Sequence, residues 1–252
     1  MMKIIPVAVG ELDTFESDVF AGGDKQKKVL FYSYVFIIIV DGQAILVDAS
    51  FGDFDYCKKN GPNECRLLNN DILDILKDNG YNAEDIKTIV LTHCHWDHIG
   101  GLSQFPNATI YCQKEEYEYA LANSTPDSGE YPLSFKKYLV EDRERFNLID
   151  GDYQLNSKVK LIKTGGHSVG SQIIEVENDD ELALILGDEV FSYDNIIKKM
   201  PVGCTKNPEK SAEVLDKIIS RIANTNKKIM VYPGHDPRII SQFDEMNTLI
   251  KP

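Results

Sequence analysis

Short runs rich in apolar residues punctuate the chain at residues 35–40, 44–47, 159–162, 173–176, 182–186 and 229–232, with polar stretches between them. Such runs read as strands, and several lack the polar alternation of a half-solvated sheet, as expected of strands covered on both faces. Helical spacing is clear in two places. Leu68, Ile72, Ile75 and Leu76 form one apolar stripe that stops at Gly80, and Leu215, Ile218, Ile219 and Ile222 form another behind an Asn207-Pro208 start. Two shorter helices are expected between Glu115 and Phe146, separated by the break Ser124-Thr125-Pro126-Asp127-Ser128-Gly129. Strands followed by a helix, twice over, predict an α/β chain. Its 252 residues suit one large domain or two small ones, and no linker, repeat or low-complexity tract divides them.

All 5 histidines fall within three short segments. These are Thr92-His93-Cys94-His95-Trp96-Asp97-His98-Ile99-Gly100-Gly101, Thr164-Gly165-Gly166-His167 and Pro233-Gly234-His235-Asp236, and Leu186-Gly187-Asp188 lies between the last two. The donors of H-x-H-x-D-H cannot all point one way on a single strand or helix. The segment must therefore be a strand end turning into a helix, with Ile89-Val90-Leu91 as the buried strand leading in. That turn aims two rings at one ion and the Asp97 and His98 pair at a neighbouring one. Gly100 and Gly101 allow a close backbone approach. Imidazole with carboxylate suits borderline or hard ions, whereas a structural zinc site favours paired thiolates. The 5 cysteines include no C-x-x-C pair. Cys94 alternates with His93 and His95, which turns its thiol away from them and marks it as inert.

These motifs, with Val47-Asp48-Ala49-Ser50 early in the chain, resemble the metallo-β-lactamase superfamily, and within it most of all the N-acyl-homoserine lactonase group. The resemblance covers nearly the whole chain. It implies an αββα sandwich of two similar halves, a single domain over residues 1–252 with a helical insertion around 113–146, and a dinuclear metal site at one edge. It further implies one metal held by His93, His95 and His167, a second held by Asp97, His98 and His235, and Asp188 bridging them. Asp97 and Asp188 are the expected catalytic carboxylates, and Asp48 is expected to orient a metal-bound imidazole. The chain departs from the group in two places. The family's D-T-G turn is Asp48-Ala49-Ser50, and the position where the lactonases resemble one another in carrying a tyrosine is Phe191. The nearest phenol, Tyr193, is expected to pack structurally.

A formal charge of −13 argues against a nucleic-acid backbone as substrate, since binding one needs clustered Lys and Arg. No run approaches the roughly 20 apolar residues that span a bilayer, and no signal-like stretch is evident near Met1. With an odd number of cysteines, this makes the cytoplasm the expected compartment. A small-molecule substrate is expected, with no nucleic acid and no membrane partner; oligomeric state is left open. Candidate pocket walls are the 113–146 insertion and the loop from Phe51 to Cys65, which carries Phe51, Phe54 and Tyr56.

The expected chemistry is hydrolysis by a bridging hydroxide. Two divalent ions about 3.5 to 4 Å apart lower the pKa of a shared water and polarise an ester or lactone carbonyl. Zinc is the expected metal, with manganese, iron and cobalt as alternatives. The nearest rival is a thioesterase similar to hydroxyacylglutathione hydrolase, which resembles the chain in the same motifs. Lys227-Lys228 and Arg238 make no convincing basic cluster for glutathione carboxylates. A β-lactamase proper would carry cysteine where Asp188 stands. A mononuclear iron oxidoreductase of the same fold and a metal-stabilised binding protein are the remaining alternatives, separated by metal analysis and turnover.

Overall fold

A computed structural model describes residues 2–51, 55, 65–68 and 70–251. Phe54 and Tyr56, expected in a pocket wall, lie outside the described residues. The chain falls into two compact units, one comprising Met1–Asp13 with Tyr32–Ile149 and the other Thr14–Phe31 with Asp150–Pro252.

The first unit is built on strands β1 (Met2–Phe15), β2 (Lys28–Val40), β3 (Gln43–Val47), β4 (Cys65–Leu67), β5 (Thr88–Val90), β6 (Thr109–Gln113) and β7 (Phe146–Ile149). They form a seven-stranded sheet in the order β4-β1-β2-β3-β5-β6-β7. A two-residue turn joins β2 to β3, with Asp41 at φ 52° and Gly42 at φ 77°, the left-handed pair that an Asp-Gly hairpin turn requires. From β3 onward the strands run parallel, pairing Val47 with Val90 and Val90 with Tyr111. Their C-terminal ends therefore share one edge, and it is there that Asp48 and the His93 segment leave the sheet. Parallel neighbours need crossovers, and the helices Ile72–Asp78 and Lys114–Asn123 lie in two of them.

The first predicted stripe begins later than its apolar spacing suggests. Asp71 caps the helix by accepting the Leu73 amide at 2.9 Å, while the Leu68 amide donates to the Val9 carbonyl at 3.1 Å. The local cap outweighs the apolar period at Leu68. Both helices expected within 113–146 are present, as Lys114–Asn123 and Lys136–Glu141, and the Tyr117 hydroxyl donates to the Leu139 carbonyl at 3.0 Å to join them. Strand β1 is absent from the apolar pattern because only one of its faces is buried. Ala8, Gly10 and Leu12 are buried on one face, while Glu11 and Asp13 on the other pair with Arg66 at 2.6 and 3.2 Å.

The second unit holds β8 (Tyr153–Gln154), β9 (Val159–Lys163), β10 (Gln172–Glu177), β11 (Glu181–Ile185) and β12 (Lys228–Tyr232), ordered β12-β11-β10-β9-β8. Strands β9, β10 and β11 are antiparallel, whereas β11 and β12 are parallel and pair Ile185 with Tyr232. The helix Pro208–Ala223 occupies that crossover, capped by the Asn207 side chain on the Lys210 amide at 3.0 Å. Its buried stripe is Val214, Leu215, Ile218 and Ile222, with Ile219 only half-buried on the flank. Segment Thr14–Phe31 is held within this unit by Asn195 donating to the Val19 carbonyl at 2.7 Å and by Ala21 donating to the Pro201 carbonyl at 3.0 Å. Among the described residues, no helix is long and apolar enough to cross a membrane.

Candidate metal centre

In the first unit, the chain leaves β5 and turns into the helix Trp96–Ile99, with His95 as its N-cap residue. This is the strand-to-helix turn that the H-x-H-x-D-H spacing predicts. The turn is anchored from the end of β3. Asp48 accepts the Thr92 amide at 2.7 Å and the Thr92 hydroxyl at 2.8 Å, and its Oδ2 lies 2.8 Å from His98 Nδ1. The turn without glycine is accommodated by placing Asp48 at φ 61° and Ser50 at φ 53°, a left-handed geometry costing on the order of 1 kcal/mol per non-glycine residue. Gly100 and Gly101 then pass directly over that turn, donating to the Ser50 and Ala49 carbonyls at 2.8 and 3.0 Å. A Cβ on Gly100 would collide with the Phe51 carbonyl, so the close approach expected of this glycine pair is a steric requirement.

The result gathers four buried donors. The His93 ring centroid lies 4.3 Å from that of His95 and 4.2 Å from that of His98, and His98 Nε2 lies 3.6 Å from Asp97 Oδ2. The Cys94 sulfur is turned toward Cys112, 3.5 Å away, and the hydrogen bond with that thiol and burial push the Cys94 thiol well above its usual range. Two residues that the sequence reading missed support this turn from the insertion. Glu116 is fully buried and accepts the Cys94 amide at 3.0 Å and the Tyr131 hydroxyl at 3.0 Å; the Tyr131 ring sits 4.8 Å from that of His95. The available signal was a glutamate on the same helical face as Tyr117 and Ala120.

In the second unit, the parallel pairing of β11 with β12 brings the ends of both strands together. Asp188 follows β11 in the turn Gly187–Glu189, His235 follows β12, and Asp188 Oδ1 lies 3.0 Å from His235 Nε2. Gly234 donates to the Val190 carbonyl at 2.8 Å, and a Cβ there would stand 2.6 Å from the Gly187 carbonyl oxygen. His167 is carried by the loop between β9 and β10. Its Nδ1 is 2.8 Å from the Cys204 carbonyl and its Nε2 is 3.4 Å from Asp188 Oδ2. Phe191 sets its edge against both rings, at 5.5 Å from His167 and 5.3 Å from His235, and Phe31 stacks on His235 at 4.8 Å. Tyr193 is fully buried and donates its hydroxyl to the Val231 carbonyl at 2.9 Å, the packing role expected for it.

The donor chemistry fits metal ions. His98 Nδ1 faces a carboxylate and His167 Nδ1 faces a carbonyl, so each must donate. The Thr92 hydroxyl gives its proton to Asp48, so the His93 Nδ1 at 3.0 Å must donate to it as well. In their neutral form all three rings are thereby held in the tautomer whose Nε2 presents a lone pair, which is how second partners prepare imidazole ligands. In each unit those nitrogens are accompanied by a buried carboxylate, Asp97 in one and Asp188 in the other.

Comparison with known proteins agrees. A family model described as the metallo-β-lactamase superfamily matches residues 29–235. An N-acyl homoserine lactonase from Bacillus cereus is 30% identical over 168 residues, 66% of this chain; the match spans 62% of that relative's length. Among solved structures, a probable metal-dependent hydrolase from Staphylococcus aureus superposes with a TM-score of 0.78 at 18% identity, covering 93% of this chain and 89% of the other. A variant of AiiA from B. thuringiensis, with N-decanoyl-L-homoserine bound at its active site, superposes with a TM-score of 0.76 at 25% identity, covering 95% and 94%. On the extent of the family match and the order of its His and Asp motifs, the chain belongs to the metallo-β-lactamase superfamily.

Proposed function

We propose that the protein is a metal-dependent hydrolase of ester or lactone carbonyls, with N-acyl-homoserine lactones as its substrate class. His93, His95, Asp97, His98, His167, Asp188 and His235 would hold two divalent ions, with Asp188 shared between them. When bound, such ions lower the pKa of a water and polarise the carbonyl it attacks. The observation that carries this reading is the imposed tautomer of His93, His98 and His167, since three imidazoles with Nε2 as acceptor have no comparable use in an apolar core. The choice of substrate follows the lactonase relatives.

The chain's own residues have distinct tasks in this scheme. Asp48 holds the His98 proton on Nδ1 and fixes the turn through Thr92. Asp97, next to His98 in the same short helix, would accept a proton released during hydrolysis. In the second unit, a pocket of about 390 Å³ reaches His235 and is lined in part by Phe20, Leu30, Phe31, Lys28 and Arg238. Its lining joins an apolar part, with Phe20, Leu30 and Phe31, to a strongly charged part that includes Lys28, Asp194 and Arg238, which suits a small molecule carrying an acyl chain and a polar head. The apolar part of this wall comes from segment 14–31, outside the two walls expected from the sequence.

The decisive experiment measures turnover of acyl-homoserine lactones, aryl esters and glutathione thioesters on one purified sample, together with its metal content. Two divalent ions per chain and preferred lactone turnover are expected. Preferred thioester turnover would move the substrate to the glutathione class. Two bound ions without turnover of any of these substrates, or a single iron without hydrolysis, would overturn the proposal.

A further inference from the structure

A buried carboxylate outside the proposed ligand set organises the loop that carries His167. Glu189 follows Asp188 directly and is 1% exposed. Its Oε1 accepts the Thr164 hydroxyl at 2.7 Å, the Ser171 hydroxyl at 2.5 Å, the Gly166 amide at 3.0 Å and the His167 amide at 3.3 Å. Its Oε2 shares the His167 amide at 3.3 Å. These donors span the whole loop. Thr164 and Ser171 are its two ends, closed by the Thr164 amide on the Ser171 carbonyl at 2.9 Å, and Gly166-His167 is its turn.

Buried amides must find acceptors, and this loop has no sheet ladder to supply them at Gly166 and His167. A carboxylate can take several donors at once, and charge-assisted bonds are stronger than those to neutral acceptors. The other side of the loop is held separately. The Gly166 carbonyl accepts the Thr205 hydroxyl at 2.6 Å, the His167 carbonyl accepts the Lys206 amide at 2.9 Å, and the Cys204 carbonyl takes His167 Nδ1. Cys204 therefore sets the ring orientation, and Glu189 sets where the main chain places the ring. Gly166 makes that approach possible, because a Cβ there would collide with Glu189 Oε2 and stand 3.0 Å from Ser211 Cα.

We propose that Glu189 is a positioning residue whose carboxylate holds the 164–171 loop in the shape that presents His167 Nε2 beside Asp188. Adjacent carboxylates then divide the work, Asp188 as a ligand and Glu189 as the anchor of another ligand. The inference rests on the metal-binding reading of His167 and Asp188.

Two variants separate anchoring from bulk packing. E189Q can turn its amide oxygen into the Oε1 position and keep the four donors there, whereas E189A loses them all. Amide hydrogen exchange is followed in the metal-free proteins, and metal affinity is measured by competition with a chelator. In E189A the Gly166 and His167 amides are expected to exchange at least roughly 10-fold faster, with the helix Pro208–Ala223 unchanged, and one bound metal is expected to weaken by about 10- to 100-fold. E189Q should stay close to the parent in both. Parental protection and affinity in E189A would overturn the proposal, as would uniform loss of protection over the whole unit. If E189A does not fold, E189D, whose carboxylate is withdrawn by one methylene, carries the same readouts, and parental behaviour there has the same meaning. A parent protein that takes up no metal would instead sink the hydrolase reading, while the exchange data still judge the anchor.

Discussion

Asp48 Oδ2 and His98 Nδ1 lie 2.8 Å apart in a buried setting, so a carboxylate at the end of one strand dictates the tautomer of an imidazole 50 positions later. The same carboxylate takes the Thr92 amide and hydroxyl. Ring orientation and the shape of the strand-to-helix turn therefore depend on one side chain. Asp48→Asn keeps the volume but can present an N–H where an acceptor is needed. Metal affinity is expected to fall by about 10- to 100-fold, read by chelator competition, with the fold retained by circular dichroism. Unchanged affinity would remove Asp48 from the metal-orienting role.

Gly234→Ala tests the approach of the two strand ends in the second unit. The added Cβ would stand 2.6 Å from the Gly187 carbonyl oxygen and 3.0 Å from Asp188 Oδ1, so the backbone has to separate just where Asp188 and His235 meet. Overpacking of this kind costs roughly 1–3 kcal/mol. A lowered Tm is expected, by about 2–4 °C for each kcal/mol in a chain of this size, together with reduced metal retention. A parental Tm would show that the gap closes without strain.

Stability should fall at alkaline pH. Burial, and after it Asp236, raises the Tyr193 phenol far above its ordinary value, and burial raises that of Tyr232 likewise. In the unfolded chain these phenols ionise near pH 10, about the unperturbed value. The folded state then binds more protons than the unfolded state, so the contribution is complete below about pH 10 and is lost as pH climbs toward the folded values. Denaturant midpoints measured from pH 8 to 11 should drop beyond about pH 10, and less steeply in Tyr193→Phe. An identical slope in that variant would assign the effect to other groups.

Metal removal should destabilise the protein as well as silence it. A ligand that binds only the folded state adds about 2.7 kcal/mol at a concentration 100 times its Kd. Treatment with a chelator is therefore expected to lower Tm, and divalent ions to restore it in proportion to the logarithm of their concentration. Asp188→Ala should show a smaller restoration because it loses the carboxylate proposed to be shared by both ions. A Tm indifferent to chelator and metal would count against both statements.

Much of the candidate site was legible in the chain itself because ligand chemistry is local. His93, His95, Asp97 and His98 sit within six positions, and their spacing alone demands a strand turning into a helix, which Thr88–Val90 and Trp96–Ile99 supply. Short apolar-rich runs identified β2, β3 and β9 to β12, most plainly β3 and β11, where nearly every residue is buried. Strand β1 escaped notice because burial on one face leaves a mixed pattern. Of the supporting carboxylates, Glu116 left only its place on an apolar helical face as a signal, and Glu189 left none. Their function lies in amides 22 residues away from each, and a buried acid is distinguishable from a surface one only after folding has brought its donors to it. The sequence by itself thus determined which side chains carry ligand chemistry and the strand-to-helix turn that presents His93 to His98. Only the tertiary structure decided how those side chains are held, because tautomer, loop shape and ring placement are set by hydrogen bonds between segments far apart in the chain.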